Sequence, residues 1–269
     1  MYKEHINNAT KSYPFLIEHD DVKYIPHFHQ EIEVVYVLEG ELLITLGNEN
    51  HTIKKDDICI ILPNSIHNLF THTHSKTFVA KLYPVIDLNN IKLTQNIFNI
   101  DSPIYEELKE CLSNIIKENK FKTDCYELAV NINASNLILM ILRNIEHCKI
   151  DSRTKSLLLH EGDFLNQVDK FLDEHTSNDI TLAEIAEKLN YTKSYFCRQF
   201  KKIAGVTFWE YYTMYRLELA TELIKTSANM NMTSIAYNSN FRNVRSFNNA
   251  FNKYYHCTPS EYKKIFFPK

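Results

Sequence analysis

Residues 182–202, LAEIAEKLNYTKSYFCRQFKK, read as two short helices separated by a tight turn. Thr181 stands three residues before Glu184, the spacing of a capping box, in which hydroxyl and carboxylate satisfy each other's helix-terminal amides. A helix is therefore expected from about Leu182, with Leu182, Ile185, Ala186 and Leu189 as its inner stripe. Asn190 falls where the chain must turn, and asparagine tolerates left-handed backbone better than other non-glycine residues. Thr192 caps a second helix whose inner stripe is Phe196, Phe200 and Ile203, and Ala186 is small where two helices would cross. A short helix, a turn of about four residues and a second helix held by aromatic anchors is helix-turn-helix grammar.

The unit occurs twice. At an offset of 51 residues Phe196 meets Phe247, Phe200 meets Phe251, Lys202 meets Lys253, Thr207 meets Thr258, Glu210 meets Glu261 and Tyr211 meets Tyr262. At an offset of 50, Ile185-Ala186 meets Ile235-Ala236 and Asn190-Tyr191 meets Asn240-Phe241, as a one-residue loop difference would produce. Self-similarity of this kind marks one supersecondary unit used twice.

The outward face of the first second-position helix carries Lys193, Ser194, Cys197, Arg198 and Lys201, side chains suited to base edges and phosphates. Arg198 is the expected guanine reader, because its fork matches O6 and N7. Thr192 and the first-turn amides suit a phosphate. In the second copy the corresponding candidates are Val244, Arg245, Asn248 and Asn249, with Arg242 and Lys253 for phosphates. For any single residue, a solvated polar face on an ordinary helix is the plainer alternative. Between the copies, Thr207-x-x-Glu210 opens a helix of about 20 residues, roughly 30 Å long, which includes Trp209, Tyr212, Leu217, Ala220, Leu223 and Ile224. Thr258-Pro259-Ser260-Glu261 opens a last helix with proline at its first position.

The runs LAEIAEKLNYTKSYFCRQFKKIAGVTFWEYYTMYRLELATELI (182–224) and SIAYNSNFRNVRSFNNAFNKYYHCTPSEYKK (234–264) resemble the AraC/XylS family of bacterial regulators. The resemblance covers about 105 residues and implies a DNA-binding transcription regulator. Asn240 and His256 stand where that family usually has glycine; the asparagine fits a left-handed turn, and the histidine implies strain or a shifted turn.

The bulk properties fit a globular chain. Of 269 residues, 44% are hydrophobic and 23% charged, enough to build cores in two or three domains. The net charge is -3, yet residues 163–269 hold 14 basic and 11 acidic side chains against 16 and 22 in the remainder, so the basic surplus lies at the DNA-binding end. No apolar run approaches the roughly 20 residues that span a bilayer, and MYKEHINNAT has no apolar signal core. Cys59, Cys111, Cys125, Cys148, Cys197 and Cys257 are scattered and form no CxxC pair, as in a cytoplasmic protein with reduced thiols.

Residues 22–83 alternate like strands. Ile32, Val34, Tyr36 and Leu38 point one way and Glu31, Glu33, Val35 and Val37 the other; Gly40 is expected to end that strand, with the next at Glu41–Leu46 and a turn at Gly47-Asn48-Glu49-Asn50. Ile53, Ile58–Leu62 and Phe78–Leu82 read as further strands of an antiparallel barrel or sandwich. His27-Phe28-His29, Glu33 and Gly40 resemble the first cupin motif; Asp56-Asp57 and Pro63–His67 resemble the second, with Asp56 in place of glycine. His27, His29 and Glu33 lie at even spacings and so share a strand face, which His67 closes from a neighbouring strand. Three imidazoles and a carboxylate suit a divalent transition metal. The leading reading is instead a hydrogen-bonding effector pocket without metal or other cofactor, since the AraC-like sensor commonly takes a sugar or other small metabolite. Phe28, Tyr36 and Phe70 would stack on a sugar ring or serve as core, and His72 and His74 are expected at the surface.

Residues 103–148 change to helical period: Ile104, Leu108, Cys111, Leu112 and Ile115, then Leu128, Ile132, Leu139, Leu142 and Ile145, with the break near Asn119-Lys120. The second helix carries more apolar surface than one face needs, which suggests a dimer seam or packing on the barrel. The expected whole is a two-domain α+β protein: an antiparallel β cupin-like effector domain (1–100), a helical hairpin for dimerisation (101–149), a linker (150–162) and an all-α DNA-binding domain (163–269). In the last, two helix-turn-helix units (about 181–203 and 231–254) are joined by a long helix. Double-stranded DNA, a small-molecule effector and a second copy are the expected partners, RNA polymerase is a candidate partner, and no membrane is involved. The competing reading is a metal-dependent cupin enzyme with an accessory DNA-binding tail.

Overall fold

The computed structural model describes residues 14–47, 49–83, 86–175 and 180–267; the N-terminal stretch read for a signal core, and Asn48 of the Gly47–Asn50 turn, lie outside them. The chain divides into two compact units between residues 163 and 164.

The N-terminal unit begins with β1 (Phe15–Asp20), β2 (Lys23–His27), β3 (Ile32–Leu46), β4 (Glu49–Lys54), β5 (Ile58–Ile61), β6 (His67–Phe70) and β7 (Ser75–Leu82). Short β8 (Ile91–Leu93) and β9 (Ile97–Phe98) follow, then α1 (Tyr105–Phe121), α2 (Tyr126–Asn144) and β10 (His147–Lys149). All strand pairs are antiparallel. Gly40 does not end a strand. β3 runs on through it, pairing with β7 and β5 in its first half and with β4 and β6 in its second. Gly40 adopts φ 71° and lies so close to its neighbour strand that a Cβ would stand 2.0 Å from the His74 carbonyl oxygen. Only glycine bends the strand there, so that one strand serves both sheets.

The alternation read from the sequence holds along β3. Ile32, Val34 and Tyr36 join Ile58, Ile60, Phe78, Ala80 and Leu82 in a core shared with Tyr105, Leu108, Leu112 and Ile115 of α1 and Val130, Ala134, Leu137, Ile138 and Ile141 of α2. The opposite set, Glu33, Val35 and Val37, is buried as completely, between the sheets. The hairpin break lies later than Asn119-Lys120: α1 continues to Phe121, and the turn uses left-handed Lys122 (φ 47°) and Cys125 (φ 62°). In α2 the stripe read from the sequence is mostly the outer one. Leu128, Ile132 and Leu139 are exposed, while the buried face is offset from them around the helix.

The segment 150–162, expected as the linker, is mostly helical. Residues 152–162 form the first half of α3 (Ser152–Glu174). Its Gly162 sits against the Phe28 ring, where a Cβ would come within 2.9 Å of two ring carbons.

The C-terminal unit contains the second half of α3, then α4 (Leu182–Lys188), α5 (Lys193–Ala204), α6 (Phe208–Thr226), α7 (Met232–Asn238), α8 (Val244–Tyr255) and α9 (Pro259–Phe266). The caps fall where the sequence puts them. Thr181, Thr207 and Thr258 form complete capping boxes with Glu184, Glu210 and Glu261, and Thr192, Asn231 and Asn243 cap α5, α7 and α8. The first core joins Phe164 to Phe196 and Phe200, with ring centroids 5.9 and 6.2 Å apart, and Phe208 lies edge-on to both. Tyr211 and Tyr215 of α6 donate to Asp169 and Asp173 of α3 at 2.6 and 2.7 Å. The second core gathers Leu217, Ala220 and Ile224 of α6 with Ile235, Ala236, Phe241, Phe247 and Phe251. Helix α6 thus supports both helix-turn-helix units.

Candidate nucleic-acid interface and effector cluster

In each copy the turn is built on a left-handed asparagine, Asn190 (φ 58°) and Asn240 (φ 61°). Asparagine's short polar side chain makes this conformation affordable without glycine. The buried phenylalanines then fix which face of α5 and α8 is turned outward. Thr192, Lys193, Ser194, Arg198 and Lys201 are exposed, and so are Arg242, Arg245, Asn248 and Asn249. Lys193, Arg198 and Arg245 make no ion pair among the described residues. Two candidates are less open. Cys197 is half-buried, and Val244 is half-buried and packs against the second core. The Thr192 hydroxyl accepts from the Tyr195 amide at 3.3 Å and keeps its own proton to donate.

Sequence reasoning passed over Trp209 and Tyr195 as surface groups. Trp209, counted with the apolar residues of the long helix, is 46% exposed, and Tyr195 is 39% exposed. Trp209 lines an open cleft with Leu182, Cys197, Arg198, Lys201, Lys202, Thr207 and Phe208, at the edge of the α5 outer face. The signal was available: Trp209 lies off the stripe of Phe208, Tyr212 and Tyr215.

Across β2 and β6 the effector candidates come together. His27 and His67 are direct partners in the antiparallel register. His29 and Glu33 do not share a strand with His27. His29 lies in the loop after β2, and Glu33 lies near the start of β3, so a turn of the chain rather than strand parity brings them in. Ligand-type atoms of His27, His29, Glu33 and His67 all lie within 4.8 Å of one another. His29 Nε2 is 2.8 Å and His67 Nε2 3.6 Å from Glu33 Oε2. Glu33 Oε1 and His67 Nε2 are buried without a hydrogen-bond partner. Burial pushes the Glu33 carboxyl up, but His29, His67 and Lys81 outweigh it and hold it well below the usual carboxylate range. Burial, with the neighbouring His67, holds His27 well below the usual histidine value, and burial lowers His29 too.

Lys81 was missed. It faces Glu33 across the β3–β7 register, with Nζ 3.7 Å from Oε2. Its signal was a lone charge in the apolar run Phe78–Leu82, readable only once that strand is paired with β3. Tyr36 is not at the cluster: it points to the opposite face and donates to Asp56 Oδ1 at 3.0 Å. Phe28 packs on Gly162, Phe70 lies beside Lys23 and His72, and His72 and His74 are exposed.

The model of the AraC-like ligand binding domain matches residues 12–161, and that of a helix-turn-helix domain matches residues 185–265. The chain belongs to the AraC/XylS family. This AraC-family protein is a DNA-binding transcription regulator with an N-terminal ligand-binding domain. The probable transcriptional regulator LumQ of Photobacterium leiognathi is 23% identical to it over 94% of this chain and 97% of its own length. The HTH-type transcriptional regulator YdeC of Bacillus subtilis is 23% identical over 90% of this chain and 87% of its own. Among solved structures, ToxT from Vibrio cholerae shares the fold at 15% identity, with a TM-score of 0.54, covering 97% of this chain and all of ToxT. One ToxT structure has an unsaturated fatty acid bound. Where this AraC-family chain lacks the family's glycines, Asn240 and His256 take the left-handed conformation themselves, at φ 61° and 56°. No helix among the described residues is long and apolar enough to cross a membrane.

Proposed function

We propose that this regulator works in the cytoplasm as a homodimer, binds specific operators through α5 and α8, and changes its DNA occupancy when a small effector enters the His27, His29, Glu33, His67 cluster. The observation that carries the reading is the pair of capped, aromatic-anchored helices with outward arginines, Arg198 and Arg245, that make no ion pair among the described residues. Their joining helix α6 has 19 residues, a length of roughly 28 Å, comparable with the ~34 Å between successive major grooves on one duplex face. Arg198 and Arg245 read base edges, Asn248 and Asn249 add adenine-type contacts, and Thr192, Lys193, Ser194, Lys201 and Arg242 hold phosphates. Cys197 and Val244 contribute packing at the rim more than readout.

The exposed Leu128, Ile132 and Leu139 stripe of α2 supports the homodimer. RNA polymerase is the partner through which operator binding would raise transcription. The histidine cluster acts as a sensor and not as a catalytic centre; the named relatives that span the chain are regulators. The effector must bind the DNA-competent and incompetent arrangements with different affinity, because equal affinity shifts no equilibrium.

The test is selection of genomic fragments on purified full-length protein, followed by footprinting on the enriched sequence. A protected site with two contact patches about one helical turn apart is expected. Enrichment without a shared sequence, or protection of a single patch, would refute the two-helix reading.

A further inference from the structure

The cleft beside α5 measures about 550 Å3, inside the roughly 300–1,000 Å3 of small-ligand sites and so roomy enough for a sugar-phosphate unit. Arg198 and Lys201 line it and also belong to the outer face of α5, so cleft and recognition surface are continuous. Lys202 adds a third cation, and no acidic side chain is among the lining residues. None of these three cations makes an ion pair among the described residues. Glu210, next to Trp209 in the chain, turns its Oε2 to the Thr207 amide and hydroxyl at 2.9 and 2.7 Å. After those hydrogen bonds, Lys201 and Lys253 also help to hold it ionised, so the local balance is positive. Trp209 is the one tryptophan of the chain. Its ring is nearly half exposed, and its indole N–H meets no hydrogen-bond acceptor among the described residues. A flat apolar face with a spare donor, set among cations, matches a partner that is itself part apolar and part anionic.

We propose that this cleft grips the sugar-phosphate backbone of duplex DNA beside the groove that α5 enters, with Trp209 and Lys202 as its contacts. The indole face lies on a deoxyribose, while its N–H and the Lys201 and Lys202 ammonium groups donate to phosphate oxygens. Two observations choose the duplex as the occupant. The charge of the lining is complementary to phosphate, and Arg198 and Lys201 belong to both surfaces, so a strand held by α5 also covers the cleft. A rigid ring loses little freedom when it is covered, which is why tryptophan so often anchors interfaces. Backbone contacts fix alignment and carry no sequence, so Trp209 sets affinity and the seating of the first unit, while Arg198 sets base choice. The grip rests on the reading of α5 as a DNA-facing helix.

A single tryptophan lets the unmodified full chain report on its own cleft. Its fluorescence is titrated with acrylamide, a neutral quencher that the charge of DNA does not repel, without DNA, with the selected operator and with a scrambled duplex at low salt. Both duplexes should lower the quenching constant by about threefold or more, as covering a half-exposed ring requires. Trp209→Ala should weaken binding to operator and scrambled duplex alike by about tenfold and leave their ratio unchanged. Trp209→Phe, which keeps a ring without the N–H, should recover part of that loss. Lys202→Ala should reduce the magnitude of the salt slope by about 0.9, whereas Trp209→Ala, which removes no charge, should not change it. Thermal melting by circular dichroism separates loss of contact from loss of fold, and the wild-type quenching needs no variant. Unchanged acrylamide access in a complex that anisotropy shows to be formed, or wild-type affinity in a folded Trp209→Ala, would overturn the grip and leave the two-helix reading standing. Equal wild-type affinity for operator and scrambled duplex, with the ring protected in both, would sink the operator reading and leave the grip standing.

Discussion

Arg198 and Lys201 share one face of α5 and differ in what they are expected to touch, which makes them a matched pair of perturbations. Both are exposed, and both are surface side chains whose truncation leaves Phe196, Phe200 and Ile203 in place, so neither change threatens the fold. Arg198→Ala removes a bidentate base contact. It should cost about 1–3 kcal/mol on the operator, a loss of roughly 5- to 150-fold, with little change on unrelated DNA. Lys201→Ala removes one phosphate contact and should weaken all sequences alike. Lys193, Lys201, Lys202, Arg242 and Lys253 stand exposed on or beside the two recognition helices. If these five neutralise phosphates, log K against log salt concentration should fall with a slope of about -4.5 in the wild type and about -3.6 in Lys201→Ala. The Arg198→Ala slope should stay nearer the wild-type value. Fluorescence anisotropy on operator and scrambled duplexes, over a series of salt concentrations, measures both quantities. Identical behaviour of the two variants, in specificity and in slope, would refute the division of roles on α5.

Three further outcomes follow from the geometry. Gly40→Ala should destabilise the N-terminal unit by about 2 kcal/mol or more in urea unfolding, since it meets both a left-handed φ of 71° and a carbonyl oxygen 2.0 Å from the new Cβ. Leu128→Ser with Ile132→Ser and Leu139→Ser should turn dimer into monomer by sedimentation while circular dichroism is unchanged; a retained dimer would place the interface elsewhere. Glu184, Glu210 and Glu261 are held below their ordinary value of 4.5 first by hydrogen bonds from the side chain or backbone of Thr181, Thr207 and Thr258. A depressed folded-state value means the carboxylates contribute fully above about pH 4.5 and lose that contribution as pH falls through the lower folded values. The melting temperature of the C-terminal unit should therefore drop on acidification in that range, and Glu210→Gln should flatten the drop.

The C-terminal unit was legible because its signals are local. A capping box spans four residues, and a repeat compares the chain with itself, so Thr181, Thr207 and Thr258 placed helix starts without knowledge of the tertiary fold. The histidine cluster was legible as a set for the same reason, but the physical basis offered for it was wrong in part. Even spacing was taken as strand parity, whereas His29 reaches Glu33 through a loop. Lys81 could not be found without the β3–β7 register, a long-range pairing that no window contains. Gly40 misled because a glycine that bends a strand and one that ends it look alike in sequence. The wrong face of α2 was chosen because the helix is apolar on more than one side, and periodicity then has no unique phase. Polarity marked residues 150–162 as a linker but could not say that most of it is helical, because solvated helix surface is also polar.

Glycine inside a helix usually costs stability, about 1 kcal/mol relative to alanine, so Gly162 in α3 calls for a reason. The reason lies in the ring it admits. Phe28 stands between His27, the last residue of β2, and His29 in the loop that follows, and its ring is seated on the helix where no methyl group would fit. A larger residue at position 162 would therefore displace the ring, and with it the backbone between His27 and His29.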